Sequence, residues 1–176
     1  MSNGIKQNPQ APCPKIILRR QIVVNVSYYS FDDKTHRGQI IVAKDLAQDV
    51  KDVFKLLLQE KFPISSVIPI SEFWWDDELS MRANNSSGFN YRTITGTNRL
   101  SNHAYGRAID INPLLNPYVK EGIVKPHGAT YRLDEPGTIT SNSKITSFLK
   151  QRGWTWGGDW KDRKDYQHFE KPLKKE

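Results

Sequence analysis

The chain has 176 residues, enough for one domain with its own core. A hydrophobic content of 37% and an aromatic content of 11%, with five Trp, exclude an intrinsically disordered chain. The formal net charge of +7 favours anionic partners such as nucleic acid, acidic lipid or wall polymers, while the single cysteine, Cys13, excludes an intrachain disulfide framework and a Cys-rich zinc ribbon.

Residues 1–14 are polar and contain prolines, and are expected to be a flexible leader to a domain over 15–176. They lack the basic-then-apolar pattern of a signal peptide. Ile16-Ile17-Leu18 and Ile22 to Tyr29 are predicted to be extended, being rich in β-branched residues. Asp32-Asp33-Lys34 is a turn signal, and Gln39 to Val42 a second strand, so the domain opens as a hairpin. Asp45 is a candidate N-cap. Leu46, Val50, Val53, Phe54, Leu57 and Leu58 recur at helical spacing, which predicts a helix over 45–61 stopped by Pro63. A second helix is predicted over 72–81, and a loop over 84–88. Residues 113–140, broken by Pro and Gly, read as a flap. Ser141 or Ser143 caps a helix through Leu149, closed by Gly153. Trp154 to Trp160 reads as a strand entering a glycine turn, and 166–170 as a last strand. Strands and helices are segregated without βαβ alternation, an α+β pattern. No apolar run approaches the ~18–20 residues that span a bilayer.

The chemistry concentrates in two places. Ser101 to Asp110 carries His103 and Asp110 on either side of Gly106, a residue that lets the chain turn closely beside a metal. On a strand, Ala108, Asp110 and Asn112 share one face while Ile109 and Ile111 point to the core. Near the C-terminus, His168 and Glu170 share a strand face opposite Phe169. Two His and one Asp make a three-ligand zinc set that leaves a fourth position for water, as in catalytic zinc sites. Each of these residues also has an ordinary use, the His as buried or surface side chains and Asp110 in turn chemistry before Asn112-Pro113. His36 and His127 read as loop histidines. Trp156 and Trp160, flanking Gly157-Gly158, read as core residues or as walls of a cleft.

The pattern Ser-x-His-x-x-Gly-x-Ala-x-Asp over Ser101–Asp110 resembles the zinc D-alanyl-D-alanine peptidases. That group includes vancomycin-resistance-type carboxypeptidases and dipeptidases, and L-alanyl-D-glutamate endopeptidases of phage lysins. Asp165-x-x-His168 is similar to its acid-x-x-His second motif. The resemblance covers roughly residues 20–170, and the subgroup with Phe89-Asn90-Tyr91-Arg92 and Gly153-Trp154-x-Trp156-Gly157-Gly158-Asp159-Trp160 is the most similar.

The resemblance implies a hedgehog-like zinc D,D-peptidase fold in which a small antiparallel sheet, flanked by helices, carries the metal. It implies His103, Asp110 and His168 as zinc ligands and Asp165 as general base. Many relatives have Glu at that position. Residues three apart lie on opposite faces of a strand, so Asp165 must sit in a bend, or else Glu170 or Asp159 is nearer the water. Ser101 either orients the site by hydrogen bonding or caps a turn. Arg92 matches the family's upstream arginine region, with Arg82 and Arg99 as rivals. The implied activity is hydrolysis of peptidoglycan stem peptides, at D-Ala-D-Ala first and L-Ala-D-Glu second, or a zinc-holding signalling domain without hydrolysis. Such a substrate implies periplasm, cell wall or extracellular space. No nucleic-acid-binding motif is present, so nucleic acid is not expected as a partner.

Overall fold

Val24, Val26 and Tyr28 are buried along β1 (Gln21–Tyr29), alternating with exposed or half-buried neighbours, because successive strand side chains take opposite faces. The computed structural model describes residues 5–173 of the chain. β1 pairs antiparallel with β2 (Thr35–Ala43), from Gln21 opposite Ala43 to Tyr29 opposite Thr35. The last four residues of β2, Ile40 to Ala43, are all buried, since both faces of the hairpin are covered there. On one face lies α2 (Ala47–Gln59), presenting Val50, Val53, Phe54 and Leu57 to the hairpin. On the other, Ile41 meets Phe89, Ile5 and Cys13.

The middle of the chain is short elements. β3 (Ser66–Val67) runs parallel to β4 (Asn85–Ser86), with α3 (Asp77–Arg82) between them in sequence. The centre of the molecule is a three-stranded antiparallel sheet in the order β5 (Ala108–Asp110), β10 (His168–Glu170), β8 (Thr155–Trp156). Ile109 and Phe169 are fully buried and join the core built on α2 and on α4 (Lys144–Gln151). A second three-stranded sheet joins the hairpin of β6 (Tyr118–Lys120) and β7 (Ile123–Lys125) to β9 (Lys164–Asp165). The result is one domain of mixed helices and small, mainly antiparallel sheets. Among the described residues, no helix is long and apolar enough to cross a membrane.

Several expectations need correction. Ile16-Ile17-Leu18 is not extended. It lies in α1 (Lys15–Leu18), a single helical turn following Pro14, whose ring holds φ at −51° and whose carbonyl accepts from the amides of Ile17 and Leu18. Asp45 does not cap α2; a short 3-10 turn over Lys44–Leu46 precedes that helix, and the Asp45 carboxylate faces Arg107 instead. The predicted 72–81 helix is split. Trp74 and Trp75 take left-handed φ values of 52° and 61°, ending a 3-10 turn over Ile70–Phe73, and Asp76 then caps α3 by accepting from the Leu79 amide. Residues 84–88 are not simply a loop, because β4 lies there, and the β3–β4 pair is a small parallel crossover within an otherwise segregated pattern. The 113–140 flap contains the β6–β7 hairpin. Of the leader, residues 1–4 lie outside the described residues. In the remainder, Ile5 and Cys13 are buried, so that stretch is packed rather than free.

Gly106 joins the hairpin to the Ser101–Asp110 segment. Its φ is +66°, its amide donates to the His103 carbonyl, and its own carbonyl accepts from the Ala43 amide at 2.8 Å. A Cβ there would collide with the Gln21 side chain and the Ala43 backbone. Gly106→Ala should therefore combine left-handed strain with overpacking and lower stability by roughly 2–5 kcal/mol. Urea unfolding followed by circular dichroism measures this, and a midpoint equal to wild type would remove Gly106 from this role.

Candidate metal centre

His103 sits in a 3-10 turn over Asn102–Tyr105, whose N-cap is Ser101. The Ser101 hydroxyl accepts from the His103 amide at 3.2 Å, so of its two sequence-level roles the structure displays the turn cap. Gly106, left-handed, ends the turn and sends the chain into β5, which ends at Asp110. Pairing with β10 sets His168 directly opposite Asp110 and Phe169 opposite Ile109. One antiparallel register thus aligns two polar side chains and buries two apolar ones.

The three side chains converge in a buried cluster. His168 Nδ1 lies 2.9 Å from Asp110 Oδ1, His103 Nε2 lies 3.1 Å from Asp110 Oδ2, and the two imidazole nitrogens are 3.2 Å apart. His103, Asp110 and His168 form a group that can hold a metal ion. Tetrahedral zinc with bonds of ~2.0–2.1 Å sets its donors about 3.3 Å apart, close to these separations. The outer ring nitrogens fit as well. His103 Nδ1 is 2.6 Å from the Gly88 carbonyl, which can only accept, so Nδ1 carries a proton and Nε2 faces inward as a donor atom. His168 Nε2 is 2.9 Å from Glu170 Oε2. Two imidazole nitrogens and a carboxylate turned towards one another require a cation among them, either a metal or a proton.

The electrostatics of the metal-free cluster identify that proton. Burial disfavours the charged form of His168, but hydrogen bonds to Asp110 and Glu170 outweigh it and raise its pKa from 6.5 to about 10. Burial also opposes ionisation of Asp110. The positive charge and hydrogen bonds of the two His override it and hold Asp110 well below the ordinary carboxylate range. Glu170 is likewise lowered, burial being outweighed by His168 and then Asn102.

Asp165 lies in β9, opposite Tyr118, and Tyr166-Gln167 turn the chain between it and β10. Asp165 is thus in a strand and not in the expected bend, and the turn that follows it separates its face from that of His168. Tyr166 is fixed by a ring stack on Tyr131 at 3.6 Å and by the Trp156 indole donating to its carbonyl. Behind Asp165 stands Gly157, where a Cβ would strike the Asp165 carbonyl and side chain. Asp165 Oδ1 is buried with no hydrogen-bond partner among the described residues. Burial pushes its pKa up to about 7. Asp110 and Asp77 add to the rise, while His168 and His103 oppose it, so the carboxyl feels the whole cluster.

The other candidates separate clearly. Asp159 is engaged by Lys150 at 2.6 Å. Arg92 is linked to the cluster through backbone, its carbonyl accepting from the Ser101 amide, while its guanidinium is 2.7 Å from Asp77. Arg82 and Arg99 are exposed. His36 pairs with Asp32, and His127 is exposed. Trp156 is core, whereas the Trp160 ring lies 5.4 Å from that of His168 and carries Arg163 on it. Asn112 does not join Asp110 at the site. Its side chain instead ties Ser65, Pro63 and Gly137 together. Sequence reasoning missed Gly88, Asn102 and Asp77. Asn102 is next to a proposed ligand, which was its only signal; Gly88 acts through its backbone, and Asp77 is remote in sequence.

A family model described as D-alanyl-D-alanine carboxypeptidase matches residues 95–171. The match supports a peptidase of that family. It spans His103, Asp110, Asp165 and His168 but begins after Arg92. No solved structure matches the chain.

His103→Ala and His168→Ala should each lose stoichiometric metal, measured by elemental analysis; full retention in both would disprove this ligand set. Because the folded His168 value lies above 6.5, its contribution to metal-free stability is fully present below about 6.5 and is lost as pH rises through about 10. A metal ion held by this group would have to displace that proton, so titration calorimetry with zinc at pH 7 in buffers of differing ionisation enthalpy should show proton release on binding.

Proposed function

We propose that this protein is a zinc peptidase that hydrolyses an amide bond of peptidoglycan stem peptides. The observation that carries this function is a buried His-Asp-His cluster next to a buried carboxylate oxygen without a partner among the described residues. Two imidazoles and one carboxylate suit zinc, and the family match supports a peptidase. His103 Nε2, His168 Nδ1 and Asp110 would hold the ion. When bound, zinc polarises the scissile carbonyl and lowers the pKa of a coordinated water towards ~7. Asp165 accepts the proton of the attacking water and delivers it to the leaving amine. Ser101 orients the site by capping the His103 turn, its hydroxyl accepting from the His103 amide.

A terminal D-Ala-D-Ala bond is the first choice, in line with the family description. One observation favours the internal L-Ala-D-Glu bond of lysin-type endopeptidases. Arg92 is already neutralised by Asp77, so a free C-terminal carboxylate would have to compete for it. Digestion of purified muropeptides by zinc-loaded protein, with mass analysis, separates the two. Loss of one alanine means carboxypeptidase, and release of larger fragments means endopeptidase. No cleavage at all would refute hydrolysis and leave a zinc-holding binding domain.

Asp165→Asn should keep its zinc and lose ~10²–10⁴-fold in turnover. In the wild type the acid limb of the rate profile follows Asp165, at or below about 7 once a cation opposes the burial that raises it. That limb should vanish from the residual activity of the variant. Near-normal rates in Asp165→Asn would show that another group is the base.

Arg92→Ala should leave zinc content unchanged. If Arg92 leaves Asp77 to hold a substrate carboxylate, the rate loss will be large on peptides ending in D-Ala-D-Ala and small on their amidated analogues. Equal losses on both, read from kcat/KM, would assign it to the scissile carbonyl or to the support of the Ser101 segment.

A further inference from the structure

His168 has two ring nitrogens, and only Nδ1 faces the other two ligands. What decides which nitrogen is free lies on the far side of the ring. His168 Nε2 is 2.9 Å from Glu170 Oε2, and the same oxygen accepts from Asn102 Nδ2 at 2.7 Å. Glu170 ends β10, the strand that begins with His168, while Asn102 opens the turn that carries His103. One carboxylate oxygen therefore ties together the two segments that bring the imidazoles. An ionised carboxylate only accepts, so Nε2 must keep its proton and Nδ1 is left as the metal-facing atom.

We propose that Glu170, itself held by Asn102, is the positioning residue that fixes the tautomer and ring direction of His168, and thereby sets the affinity of the chain for its metal. This rests on the zinc site proposed above. It also answers the alternative in which Glu170 is the base. The Glu170 oxygen nearest the cluster already accepts two hydrogen bonds, whereas Asp165 Oδ1 has none among the described residues.

The test uses the full chain, stripped of metal and titrated with zinc against a chromophoric chelator. Glu170→Ala should weaken zinc binding ~10–100-fold. Glu170→Gln keeps an amide oxygen able to accept from both Nε2–H and Asn102, and should bind within a few-fold of wild type. Asn102→Ala should lose less than Glu170→Ala. The double variant should be no weaker than Glu170→Ala alone, because Asn102 acts through Glu170. Nitrogen-15 spectra of the zinc-loaded protein should place the His168 ring proton on Nε2 in wild type and in Glu170→Gln. Urea unfolding of the metal-free forms separates lost affinity from lost fold. Should Glu170→Ala not fold, Glu170→Gln and Asn102→Ala still carry the comparison.

Zinc binding by Glu170→Ala as tight as wild type would overturn the proposal, as would strictly additive losses in the double variant. Glu170→Gln that keeps zinc affinity but loses turnover would make Glu170 the base instead. If the wild type binds no zinc, the site itself fails, and this is visible before any variant is compared.

Discussion

The arrangement depends on the register between β5 and β10. Both strands are only three residues long, yet their pairing sets His168 against Asp110 and Phe169 against Ile109. Side chains alternate along a strand, so a slip of one residue would turn Phe169 towards the polar cluster and drive His168 into the core. The apolar side of this pair is anchored in the main core, where Ile109 and Phe169 are fully buried. Burial of those two residues therefore enforces a geometry that the polar side alone would resist, since two imidazoles and a carboxylate lose hydration to be there. The site is held by the core on its reverse side.

The third member of the cluster arrives by another route. His103 comes from a short turn fixed by local bonds: the Ser101 cap, the left-handed Gly106, and the Gly88 carbonyl on its outer ring nitrogen. Gly106 also receives the Ala43 amide, so the turn is fastened to the end of the β1–β2 hairpin. Arg107, the next residue, is buried, donates to the Lys171 carbonyl and pairs with Asp45, which ties β5 to the segment after β10 and to the start of α2. The hairpin and helix at the start of the chain are thus the platform on which the His103–Asp110 segment rests.

Much of this was legible in the sequence for a definite reason. The hairpin and α2 carry strong periodic patterns of buried residues, so their elements followed from spacing. The pairing of two motifs, Ser101–Asp110 and Asp165–His168, pointed to the residues that converge. What was not legible depended on long-range contacts. Asp45 looked like a cap because Leu46 begins an apolar period, but the buried Arg107 claims its carboxylate from 62 positions away. Trp74 and Trp75 sit inside a window of helical composition, and only their left-handed backbone shows the break. Ile16 and Ile17 are β-branched, yet Pro14 starts a helical turn there. The partners of the ring nitrogens, a backbone carbonyl and the far end of a strand, carry no motif of their own.

The charge balance explains why a base and a metal belong in one cluster. Asp110, Glu170 and Asp165 surround two imidazoles in a largely buried space. The fold holds protons there: one on His168, raised to about 10 by its hydrogen bonds to Asp110 and Glu170, and a share of one on Asp165, raised to about 7 by burial first and by the nearby Asp110 second. A divalent cation within the His103–Asp110–His168 group would replace both. His168 would then give up its inward proton, and Asp165 would be favoured in its ionised form. In the proposed peptidase a cation at this group would therefore favour the ionised form of the carboxylate that takes a proton from water. This coupling arises from burying three carboxylates beside two imidazoles.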